Sequence, residues 1–134
     1  MEHCVFSLAF NNVSVLVEEF IIEFRLASYT VQSRRYVDFS NAKYFLGVRV
    51  PEGCTERFNS FVKGLFSDYS SLVELGIPKE DARFVLPYCF CSNFYCTCNA
   101  RELLAMICSM LYGRGSRYPE LVMLGESLKE QFES

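Results

Sequence analysis

The sequence predicts an α+β fold, a small antiparallel or mixed sheet packed with helices. Two observations carry the prediction. "HCVFSLAF" and "YCFCSNFYCTC" alternate with the period of a strand, whereas longer stretches repeat apolar residues every three or four positions, as helices do. In chain order they run strand, helix, helix, strand, helix, helix, which places helices against a small sheet. With 134 residues, 51% of them hydrophobic, the chain can build one core, and residues 1–134 read as a single domain.

The first strand is expected from about His3 to Phe10, with Asn11-Asn12 as turn residues. "VSVLVEEFIIEFRLA" follows as a helix capped by Ser14 or the preceding asparagine, its apolar side formed by Val13, Leu16, Val17, Phe20, Ile21 and Phe24. Glu18 and Glu19 are read as its solvated face. Ser28 to Tyr36 reads as a polar, extended loop. Asp38 to Val50 has a weak pattern, predicting irregular structure or a short strand. From Pro51 to Gly76, Phe58, Phe61, Val62, Leu65, Tyr69, Leu72 and Val73 recur at helical spacing. Pro78 opens a helical turn through Ala82, and a strand covers Tyr88 to Cys98. Asn99 is placed to cap the next helix, with Glu102 three positions on and the end near Gly113. "GRGSRYP" reads as a loop, after which Pro119 opens a last helix to about Phe132.

The net charge is −3, so no global positive field favours a nucleic-acid polymer. No apolar run reaches the roughly 18–20 residues of a membrane span. "MEHC" lacks the basic flank and apolar segment of a secretory signal, which predicts a cytoplasmic protein. The seven cysteines then read as reduced thiols. In "CFCSNFYCTC" two Cys-x-Cys pairs would meet around zinc if a hairpin folded them together. However, their one-residue gaps are shorter than those of common zinc knuckles and place each pair on one strand face. They are read as buried thiols without metal. His3, the one histidine, is read as structural.

Three blocks bear on function. "EHCVFSLAF", "RLASYTVQSRRY" and "GIPKEDARFVLP…NARELL" resemble, in order and rough spacing, the flavin-dependent thymidylate synthases. That family's signature is Arg-His-Arg-x7-Ser; here it reads Glu23-Phe24-Arg25, seven residues, then Ser33. The resemblance implies an α+β homotetramer that uses FAD and NADPH to convert dUMP to dTMP with a methylene group from methylenetetrahydrofolate. It also implies that the flavin supplies the reactive centre while the protein positions substrate and neutralises phosphate.

By that resemblance Ser33, Arg35, Tyr36 and Arg83 match dUMP-binding positions, and Arg25, Asn99 and Arg101 match FAD-binding positions. Arginine suits both tasks because its planar fork pairs with phosphate oxygens. Other positions depart from the family. Phe20 stands for a glutamine, Glu23 and Phe24 for Arg-His, Thr30 and Val31 for asparagine and glutamate, and Ala105 and Met110 for asparagine and arginine. Turning +1 into −1 at Glu23, about 5 Å from a phosphate charge, costs on the order of 6–7 kcal/mol at an effective dielectric near 20.

Singly, each matching residue has an ordinary explanation. Arg25 near a helix end favours the dipole, Arg101 pairs with a surface carboxylate, Arg83 packs against "VLP", Ser33 is a loop serine and Tyr36 belongs to the core. The joint pattern is what carries function. In the family each dUMP pocket lies between chains, and this chain keeps one contribution (Ser33, Arg35, Arg83) while losing the other (Phe20, Glu23, Met110). The reading is therefore a divergent member, inactive alone, that lends half-sites to a mixed oligomer with a full-length paralogue. The alternatives are a non-catalytic flavin- or nucleotide-binding homo-oligomer and an unusual self-sufficient synthase. A dimer or tetramer is expected in either case, with Phe20, Phe24, Phe61 and Phe66 as candidate contact residues.

Overall fold

The structure, a computed structural model, describes residues 1–46 and 50–133. Part of the weakly patterned Asp38–Val50 stretch therefore lies outside the described residues. Strand β1 (Val5–Ser14) leads directly into helix α1 (Val15–Ile22), and strand β2 (Ala27–Val31) follows. Helix α2 (Thr55–Glu74), the short α3 (Lys79–Ala82) and a 3-10 turn (Arg83–Val85) precede strand β3 (Cys91–Asn99). Helix α4 (Ala100–Leu111), a second 3-10 turn (Arg114–Arg117) and helix α5 (Pro119–Glu133) complete the order. The described sheet is three-stranded, β1-β3-β2, with both pairings antiparallel. The α+β expectation holds.

Three local expectations are corrected. Asn11-Asn12 do not turn the chain; they form an irregularity within β1, where the register against β3 shifts between Phe10 and Val13. Asn12 adopts φ 54°, tolerable for asparagine, and its N–H donates to Asn93 Oδ1 at 2.8 Å. The helix is shorter than its apolar pattern suggests, starting after Ser14, whose Oγ accepts from Val17 N at 3.4 Å, and ending at Ile22. The supposed loop after it contains β2. Ala27 and Tyr29 face inward while Ser28 and Thr30 face solvent, so an edge strand with a polar outer face reads as loop. Tyr29 also closes the helix: its hydroxyl lies 2.7 Å from the Phe24 carbonyl and 2.8 Å from that of Ile21, which also accepts from Phe24 N at 3.1 Å. Burial raises the phenol pKa well above its ordinary value, so it remains a donor.

The other boundaries follow local chemistry. Gly76, φ 83°, stops the chain just beyond α2, with Ile77 N donating to Leu72 O and Gly76 N to Val73 O, the paired bonds of a Schellman cap. Asn99 caps α4 as expected, its Oδ1 accepting from Glu102 N at 2.9 Å. The inner sheet face packs on α1, α4 and α5 through Phe10, Ile21, Phe94, Met106, Met110 and Leu121. A second cluster joins α2 to α3 and the start of β3 through Val62, Phe66, Tyr69, Ala82 and Phe90. Phe20 and Phe66 are buried, at 8% and 7% exposure, so they are core residues and not contact-surface residues; Phe61 is exposed.

Candidate functional site

The segment leaving β2 turns back on itself, with Val37 N donating to Ser33 O at 3.1 Å and Arg35 N to Ser33 Oγ at 3.3 Å. This turn docks on α3. Arg35 Nε meets Glu80 Oε2 at 2.6 Å, Arg83 Nε donates to the Glu80 carbonyl at 2.9 Å, and Lys79 Nζ reaches Tyr36 O at 3.3 Å. Arg35 and Arg83 thus both bond Glu80, a residue that sequence reasoning missed, the first at its carboxylate and the second at its carbonyl, while Ser33 holds the Arg35 backbone N–H. Tyr36 is exposed and not a core residue; the Arg35 guanidinium lies 5.8 Å from its ring centre. The Arg35–Glu80 pair is itself solvent-exposed, so breaking it costs about 1 kcal/mol or less.

The structure adds Arg34. Its guanidinium bonds Glu18, which is 1% exposed, and Glu19 at 3.2 Å. Glu18 is therefore not on a solvated face. Residues on α1 and on the loop, 16 positions apart, bury a charge pair that fixes the loop to the helix. Burial lowers the Arg34 pKa and the two carboxylates raise it; the carboxylates prevail and the group stays charged. Arg34 and Arg83 line a cavity of about 280 Å³ whose aromatic walls include Phe84, Tyr88 and Phe90.

A separate group lies at the other end of β2. Asn99 spends its oxygen on the α4 cap, while its Nδ2 approaches Glu2 Oε2 at 3.4 Å. Arg101 Nε pairs with Glu2 Oε1 at 2.6 Å, the surface carboxylate partner foreseen for it. Glu102 does not reach back to its own cap; it accepts from Leu26 N at 3.2 Å, tying the segment that carries Arg25 to the start of α4. Arg25 is exposed, without a hydrogen bond or ion pair among the described residues. Five strand residues at about 3.4 Å each separate this group from Ser33, roughly 17 Å.

Phe20, Glu23 and Phe24, three of the positions that depart from the resemblance, meet at Arg114 in a third corner. Met110 is fully buried and Phe20 nearly so. Arg114 pairs with Glu23, and its guanidinium carbon lies 4.6 Å from the Phe20 ring centre and 5.9 Å from that of Phe24. The carboxylate at Glu23 is thus neutralised locally, which corrects the cost assigned to it as an isolated reversed charge.

On β3, Cys96 and Cys98 point into the core, and burial pushes the Cys96 thiol up to about 12. Cys91 is also buried and is raised to about 11 for the same reason. Cys89 is half-buried and Cys108 exposed. Among the described residues no group of three His, Cys, Asp or Glu is placed to hold a metal ion, and no helix is long and apolar enough to cross a membrane.

A protein of Geobacter sulfurreducens named flavin-dependent thymidylate synthase is 35% identical over 108 residues, covering 78% of this chain and 47% of the relative. Proteins of the same name from Saccharolobus solfataricus and Thermotoga neapolitana are each 33% identical, covering 77% of this chain and 40% and 50% of theirs. The chain therefore spans about half the length of, or somewhat less than, the curated relatives it matches. The family model described as "Thymidylate synthase complementing protein" matches residues 1–133, and the chain belongs to that family, the flavin-dependent thymidylate synthases.

Proposed function

We propose that this chain is a divergent flavin-dependent thymidylate synthase-like subunit that does not make dTMP alone and lends half-sites to a mixed oligomer with a full-length paralogue. The carrying observation is the asymmetry between its two potential contributions. Arg35 and Arg83 both bond Glu80, at its carboxylate and its carbonyl, and Ser33 holds the Arg35 backbone N–H, while Phe20 and Met110, at the family's other nucleotide positions, are core residues. A bound dUMP phosphate would replace the Glu80 carboxylate on Arg35. Tyr36, exposed beside Arg35, would flank the same ligand.

The donors at the start of α4 fit a second anion. Two guanidiniums and an amide stand there, and their one carboxylate partner, Glu2, is exposed and weakly held. Arg25, Asn99 and Arg101 would hold the FAD phosphates, and FAD when bound would supply the redox chemistry that uses NADPH and methylenetetrahydrofolate. In this reading the protein works in the cytoplasm, where its thiols stay reduced.

Charge-assisted contacts contribute about 1.5–3 kcal/mol each, so two arginines give affinity of roughly millimolar to tens of micromolar, not the tight binding of a complete site. Calorimetric titration of dUMP should therefore show weak binding to the chain alone. Binding should tighten on mixing with a full-length flavin-dependent thymidylate synthase and fall again when this chain carries Arg35→Ala and Arg83→Ala. Equal heats in all three would sink the half-site reading.

A nucleotide-binding homo-oligomer is the second reading. It is favoured by Arg114, which returns a cation to the corner that Glu23 and Met110 deprive of one. Tritium release from labelled deoxyuridylate by the purified chain, with flavin, reductant and folate supplied, would overturn both readings in favour of a self-sufficient synthase.

A further inference from the structure

We infer that the free edge of β1 is a self-association surface. Two copies of this chain pair their β1 strands antiparallel about a two-fold axis at Ser7 and so join their three-stranded sheets into one. The occupant of the edge is a second copy of the same strand. This pairing is independent of the nucleotide reading, since no residue matched to dUMP or FAD lies on β1.

The ladder shows which groups are free. In the order β1-β3-β2, β1 has a neighbouring strand on one side only among the described residues. Ala100 N donates to Cys4 O at 2.9 Å, so Cys4 and Ala100 are a hydrogen-bonded pair, and such pairs alternate along an antiparallel ladder. Carried along the register, the alternation turns the N–H and C=O of Phe6, Leu8 and Phe10 towards Cys98, Cys96 and Phe94. The N–H and C=O of Val5, Ser7 and Ala9 therefore point away from β3, and none of these groups has a hydrogen-bond partner among the described residues. Their side chains stand on the outer sheet face, where all three residues are exposed.

The strand suits its own copy. Natural edges are guarded by charges, prolines or bulges. From Cys4 to Val17 the chain carries neither charge nor proline, and its one irregularity, at Asn11-Asn12, lies beyond Phe10 and marks where pairing stops. β2 differs: it is five residues long, with Arg25 before it and Arg34 and Arg35 after it. A two-fold contact sets a strand against itself, so like charges on it would repel, and an uncharged strand avoids that cost. With Ser7 opposite Ser7, Val5 of each copy faces Ala9 of the other, and every one of these pairs exchanges both backbone bonds. On the inner face, Phe6 of each copy meets Leu8 of the other. Both residues pack against the core yet are only half-buried, Phe6 with its ring centre 4.8 Å from that of Phe132. The second copy completes their cover, at the closely spaced positions where cross-strand side chains approach most.

The test measures mass by sedimentation across a dilution series, and amide hydrogen exchange residue by residue by NMR. It is run on the full chain as wild type, Ser7→Lys and Ser28→Lys, with thermal melts to confirm folding. Ser7→Lys sets two ammonium groups opposite each other at the axis; Ser28→Lys puts the same charge on the same exposed face, on β2. The wild type should dimerise with slow exchange at Val5, Ser7 and Ala9, and lose that protection on dilution. Ser7→Lys should raise the dissociation constant at least about tenfold and free the three amides, whereas Ser28→Lys should leave both unchanged. The wild-type exchange pattern decides the matter even where Ser7→Lys fails to fold. A monomeric wild type overturns the inference, as does a dimer whose Val5, Ser7 and Ala9 amides exchange freely. Protection of these amides only when a full-length flavin-dependent thymidylate synthase is added gives the edge to the paralogue and overturns self-pairing. The dUMP titrations read the half-site proposal separately, so either can fail without the other.

Discussion

Each arginine matched to the nucleotide loop or the α4 start has either an exposed carboxylate partner or, at Arg25, none; Arg34 alone is different. Arg35 and Arg101 pair with Glu80 and Glu2 where water screens the interaction, so exchange for a ligand anion is nearly free. Arg34 pairs with the Oε1 of a carboxylate that is 1% exposed and whose Oε2 has no hydrogen-bond partner among the described residues. Removing the guanidinium leaves a buried charge uncompensated, so Arg34→Ala should cost about 3–5 kcal/mol in urea unfolding. Adding Glu18→Gln should recover a substantial part, because a neutral amide needs no counter-charge. A double variant no more stable than Arg34→Ala would show that the pair does not carry the loss. In the sequence, "VEEF" looks like a polar helix face, because the residue that buries Glu18 lies 16 positions downstream. Periodicity reports which residues share a face; it does not report what folds back over that face.

At the scale of elements, legibility follows from where the instructions reside. α2 and α4 were legible because their stop and start signals, Gly76 and Asn99, sit next to the residues they terminate or cap. β2 was not, because an edge strand needs only two inward side chains, Ala27 and Tyr29, and its outer residues have loop composition. Arg35 and Arg83 were singled out by the motif resemblance, whereas the Arg35–Glu80 pair depends on the loop docking onto α3, 45 positions downstream. β3 shows the strand period most plainly and permits a chemical test. Under native conditions at neutral pH, iodoacetamide should label the exposed Cys4, Cys54 and Cys108 and spare Cys91, Cys96 and Cys98. Mass spectrometry of the labelled chain decides it; early modification of Cys96 would contradict the buried strand. The same thiols set a sign for alkaline stability. Their folded pKa values lie above the ordinary 9.0, at about 11 for Cys91 and about 12 for Cys96. The unfolded chain loses these protons first, so stability is full below pH 9 and declines from there towards pH 12.

At the scale of the whole molecule, the surface is larger than one chain of this mass needs. A compact monomer of 15.5 kDa exposes about 7,200 Å² by the usual scaling, whereas this chain exposes 8533 Å². The excess, about 1,300 Å², is of the order that one partner contributes to a stable interface or larger. Phe61, Phe84, Tyr88 and Tyr95 remain exposed, each above 60%, although Phe20 and Phe66 do not. The chain should therefore form a dimer or tetramer with itself when no paralogue is present. Because a partner stabilises only the folded state, its melting temperature should rise with protein concentration, by a few degrees per tenfold increase if association is tight. Light scattering at micromolar concentration gives the mass directly. A monomer whose melting temperature is independent of concentration would rule out self-assembly, and pockets built between chains would then require the paralogue alone.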